Sequence, residues 1–132
     1  MQAEKAIRAL LMQDVAVTAL VGDRCYPGEL PEGCALPAVV LDHISTLDLE
    51  TIGAGSYGLC QSRIEVKVLA SSYVQQKSLT AAVLAACRYQ RGVIAGVRVA
   101  KVARALTGPD LRDSDRGVFY QSTDFHVTFQ EA

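Results

Sequence analysis

An α+β fold is what the sequence predicts: a mainly antiparallel β-sheet of about four strands, with N-terminal and central helices packed on it. Three observations carry the prediction. Apolar residues recur at helical spacing near the start and again in the middle of the chain, and two-residue alternation marks segments between and after them. The order is helix, short helix, strand, strand, helix, strand, strand, and residues 46–60 and 107–117 look like antiparallel returns. A chain of 132 residues, half of them hydrophobic and a fifth charged, can build one core, so a single domain over residues 1–132 is expected and a disordered segment is excluded.

The first helix follows from Ala3, Ala6, Ile7, Leu10 and Leu11, which line one face, while Lys5, Arg8 and Gln13 fall elsewhere. Asp14 can cap a second, short helix through Val21, and Gly22 supplies its stop. From Gly22 to Pro37 the density of Gly and Pro predicts a long loop. Ala38 to Ser45 starts after Pro37 and reads as a strand with apolar residues on both faces. Thr46 to Leu59 holds Gly53, Gly55 and Gly58 among Leu47, Leu49, Ile52 and Tyr57, which suggests a loop that orders against a partner.

Ser62 to Ala70 alternates strictly: Ile64, Val66, Val68 and Ala70 face a core, while Arg63, Glu65 and Lys67 face water or a neighbour. Ser72 and Gln75 have capping-box spacing, and the helix they open is expected to bury Leu79, Ala82, Val83 and Ala86 and to run to Gln90, before Gly92. Val97 to Leu106 reads as a strand with a bulge or bend, because Val97 and Val99 lie on one face and Val102 and Leu106 on the other. A polar turn region follows, then a closing strand, Val118 to Gln130, anchored by Phe125, Val127 and Phe129.

Charge and motif content exclude several functions. Thirteen Lys and Arg against fourteen Asp and Glu lack the basic footprint of a protein that binds by neutralising phosphates. The first residues show no basic segment leading into a long apolar run, so neither secretion nor membrane insertion is expected. Cys25, Cys34, Cys60 and Cys87 form no CxxC pair and are expected as reduced thiols, mostly buried. Ser122, Asp124 and His126 share one strand face and superficially offer nucleophile, acid and base. Along a strand, though, Ser122 and His126 stand roughly 13 Å apart, whereas a nucleophile and its base need hydrogen-bond reach. Gly53-x-Gly55 lacks the remainder of a phosphate-binding motif. Neither a catalytic set, a cofactor nor a metal is expected.

Three stretches resemble one family. The run from Leu20 to Leu41 carries Val-Gly-Asp-Arg, then Tyr26-Pro27-Gly28, then a Pro-bounded strand; Arg63 to Tyr73 leads a strand into a Tyr-initiated helix; and Gly117 to Val127 closes with Asp124-Phe125. Together they resemble the tail completion, or tail terminator, proteins of long-tailed bacteriophages and prophages, of the lambda type. The resemblance implies a non-enzymatic virion protein, made in the bacterial cytoplasm. It would form a hexameric ring in the neck, at the head-proximal end of the tail tube. The implied partners are further copies of the chain, the tail tube protein and head connector proteins, with DNA passing through the lumen without specific binding. A mixed-charge strand face also suits a subunit contact, so Leu47, Leu49, Ile52, Tyr57, Arg63, Glu65 and Lys67 are the expected interface residues. A head-closure or head–tail joining protein is the alternative of the same kind; a small ligand-binding or enzymatic domain is the alternative of another.

Overall fold

A computed structural model describes residues 2–49 and 58–131. The element order is α1 (Gln2–Gln13), α2 (Val15–Val21), β1 (Cys25–Pro27), β2 (Ala38–Asp48), β3 (Leu59–Ala70), α3 (Tyr73–Cys87), β4 (Gly92–Ile94), β5 (Val97–Thr107), β6 (Leu111–Asp113) and β7 (Val118–Gln130). The α+β class is as expected, but among the described residues seven strands replace the expected four. They join in the order β1-β2-β3-β7-β5-β4, with β6 pairing β7, and the sheet curls into a half-barrel. The additional strands, β1, β4 and β6, have three residues each, too few to establish a periodicity. β1 pairs β2 in parallel, and the other pairs are antiparallel.

Local chemistry sets the helix boundaries. The side chain of Asp14 accepts a hydrogen bond from Val17 N, and Gly22, at a φ of 61°, ends α2. Ser72 Oγ accepts from Gln75 N at 3.2 Å, while Gln75 Oε1 accepts from Ser71 N at 3.3 Å, so the capping box closes one residue further back than its simplest form. α3 ends at Cys87 rather than near Gln90. The backbone turns left-handed at Tyr89 (φ 66°), and residues 89 and 90 exchange hydrogen bonds with Val102 of β5, so the sheet takes the groups a further helical turn would use.

α1 and α3 pack on one face of the sheet, and α2 packs against both of them. Ala3, Ala6, Ile7, Leu10 and Leu11 of α1 are buried as expected, with Val17 and Val21 of α2 and Leu79, Val83 and Ala86 of α3. Ala82 is only half-buried, and Gln76, unforeseen, is fully buried. Opposite them lie Ile64, Val66 and Val68 of β3 and Phe125, Val127 and Phe129 of β7, where Ile64 pairs Phe125 across the ladder. Two register shifts explain β5. The first, between Val99 and Lys101, returns Val102 to the same face as Val97 and Val99, and the second, between Arg104 and Leu106, turns Leu106 away.

Candidate assembly surface

Among the described residues, the opposite face of the sheet carries no helix. β3 alternates without interruption, so Gln61, Arg63, Glu65 and Lys67 turn outward together. β7 runs beside it in an unbroken register that sets Arg63 against His126, Glu65 against Asp124 and Lys67 against Ser122. The two polar rows noted in the sequence are therefore one surface. On it Arg63 Nε donates to Asp124 Oδ2 at 2.7 Å, and Arg63 Nη2 lies 2.6 Å from the same oxygen. Asp124 is 8% exposed, so the pair is half sheltered by its neighbours. That engagement removes Asp124 from any serine–histidine arrangement, and Ser122 and His126 remain two ladder steps to either side of it.

β2 continues to Asp48, further than the expected end at Ser45, so Leu47 belongs to a strand rather than to a loop. Ala38 to Leu41 are buried, and then His43 to Asp48 are exposed. Leu47 is 51% exposed and Leu49 half-buried. Ile52 and Tyr57 lie outside the described residues. Arg63, Glu65 and Lys67 are all half-buried on the bare face.

A register shift between His43 and Ser45 brings Thr46 to the helix side of the sheet, opposite Ser62. A polar chain results. His43 Nε2 lies 2.6 Å from Thr46 Oγ1, which lies 2.7 Å from Ser62 Oγ, and beside them Cys60 Sγ donates to Asp48 Oδ1 at 3.5 Å. The sequence held one signal for this, a serine at the inward end of an apolar row. Burial pushes the thiols of Cys25 and Cys87 up, and burial with the Asp48 contact does the same for Cys60, so all three stand away from the reactive thiolate form. Among the described residues no group of three or more His, Cys, Asp or Glu could hold a metal ion, and no helix is long and apolar enough to cross a membrane.

The sheet is open on both sides. β1 pairs β2 only over Val39–Leu41, and β4 pairs β5 only over Val97–Val99, so among the described residues the far parts of both long strands lack a neighbour. Among the described residues the sheet is thus clad by helices on one face, mixed in charge on the other, and unpaired along parts of two edges. The chain belongs to the tail completion protein gp17 family, whose model matches residues 5–130. Membership makes it a structural, tail completion protein. In three dimensions the chain is similar to one from the virion of a native gene transfer agent (GTA) particle, with a TM-score of 0.78 and 19% identity. The match covers 99% of this chain and 95% of that one, and at that identity it establishes the fold alone. No curated protein matches.

Proposed function

We propose that this protein is a tail terminator: copies of it close a ring at the head-proximal end of a phage-like tail tube, stop its growth and present the surface on which the head docks. The observation that carries the reading is the one-sided sheet with two open edges, in a chain of the tail completion family. A ring needs two different surfaces on each subunit whose repeated joining closes. Two dissimilar edges on opposite sides of one sheet supply them. Likeness to a chain of a gene transfer agent virion supports a place in a phage-like particle. The count of six is carried over from the sequence resemblance.

Geometry also favours an orientation. Subunits of a ring are wider at larger radius, so the bulky helix layer belongs outside and the bare face lines the passage. That face carries Arg63, Lys67, Arg98 and Lys101 against Asp42, Glu65 and Asp124, a near balance that lets DNA slide without adhering. Leu47, Leu49, Ile52 and Tyr57 are the proposed contacts with a neighbouring subunit or the tube, and Arg63, Glu65 and Lys67 border them on the bare face. Particles assembled without this protein decide the role. Tails of uncontrolled length are expected. Tails of normal length that fail to join heads would overturn the terminator role in favour of the joining one.

A further inference from the structure

Of β2, residues 42–48 have no partner strand on their outer side among the described residues. Residues 103–107 of β5 are in the same position on the far side of the sheet, because β4 and residues 89–90 satisfy the strand only as far as Val102. Exposed backbone donors and acceptors of this kind are templates for a further strand. Both edges also present large apolar side chains to solvent: Ile44 at 48% and Leu47 at 51% on β2, and Leu106 at 55% on β5.

Charge separates the two edges. From Ala38 to Leu49 the ionic residues are Asp42 and Asp48, with no Lys or Arg. From Val97 to Thr107 they are Arg98, Lys101 and Arg104, with no Asp or Glu. On the strands themselves, two β2 edges would set acid against acid and two β5 edges base against base, while the mixed pairing joins opposite charges; Lys5 and Arg8 of α1 border the β2 edge only beside Asp42 and His43.

We propose that the edge of β2 over residues 42–48 pairs antiparallel with the edge of β5 over residues 103–107 of the next copy, so that the sheet runs on from subunit to subunit. The inference rests on the ring reading and names its seam. Direction agrees, since β2, β3, β7 and β5 alternate, and rotation about a ring axis leaves β5 of the next copy opposed to β2. The faces agree too. Leu47 lies opposite Gln61 and Leu106 opposite Asp124, so both leucines belong to the bare face. Asp48 lies opposite Cys60 and Arg104 opposite Phe125, so acid and base both belong to the helix side. A seam that keeps the faces in order brings the two leucines to one side and the two charges to the other.

Cross-linking of the full chain, purified and in assembled tails, tests the seam. Ser45→Cys is combined in one chain with Ala103→Cys or with Ala105→Cys, so that adjacent registers are sampled, and each single variant serves as control for the native cysteines. Mild oxidation is expected to give a ladder of covalent oligomers from at least one double variant and from none of the singles. In parallel, Arg104→Glu is expected to weaken association by about tenfold or more, and adding Asp48→Arg to restore it, with circular dichroism confirming the fold. Oligomers in light scattering that yield no ladder and ignore Arg104→Glu overturn the seam and leave the ring standing. A chain that is monomeric both when purified and in tails overturns the ring and the seam with it.

Discussion

Arg63 and Asp124 show how one pair can organise a sheet face that no helix covers. The carboxylate is nearly buried although it points away from the helices, and its charge is met by a guanidinium that still reaches solvent. Truncating the cation is therefore worse than neutralising both partners. Arg63→Ala is expected to lower stability in urea unfolding by about 1–2 kcal/mol, and adding Asp124→Asn to recover part of the loss. Equal stability of Arg63→Ala and the parent would mean that water replaces the guanidinium. The sequence placed each residue on its correct face, since strict alternation assigns faces without knowledge of partners. It could not pair them: 61 positions separate the two, and only the β3–β7 register brings them together.

At the scale of elements, long segments were legible and short ones were not. The faces of α1, β3 and β7 follow from repeated apolar spacing, which survives folding because each of these elements lies against a single core. The irregularity expected in β5 is present, but the expected faces are not: the shift between Val99 and Lys101 keeps Val102 with Val97 and Val99, and Leu106 alone turns to the other face. The end of α3 was misplaced because tertiary pairing, not local propensity, decides it.

Also unforeseen was the polar knot that ties the start of α3 to the β5–β6 turn. Lys77 Nζ donates to Asp110 and, at 3.3 Å, to Gln121 Oε1, while Gln121 Nε2 donates to Gly108 O at 2.8 Å. The hydrogen bond from Lys77 holds the Asp110 carboxyl below its ordinary range. A depressed carboxylate lends stability that is present above the usual carboxylate range and lost as pH falls through its folded value. Lys77→Met is thus expected to raise the Asp110 titration seen by NMR. It should also destabilise the protein at neutral pH, with the gap from the parent narrowing in acid.

For the whole molecule, the proposed seam couples assembly to ionic strength. Asp42 and Asp48 on one edge and Lys101 and Arg104 on the other lie at the rim of the sheet, where salt screens them over about 10 Å at 0.1 M. Subunit association, followed by light scattering, is expected to weaken as salt rises from about 0.05 to 0.5 M, while urea unfolding of a single subunit changes much less. Association indifferent to salt would assign the seam's strength to its leucines and backbone instead.

β3 and β7 form the spine of the sheet, aligned residue for residue from Leu59 beside Gln130 to Ala70 beside Phe119. One half of that spine follows every other element in the order of translation. A chain still emerging from the ribosome can form its helices and the β2–β3 hairpin, but it has no finished sheet to offer a sister chain until β7 is out and docked. Under the proposed seam, a copy whose β7 has yet to dock therefore has no complete sheet to join to its neighbours.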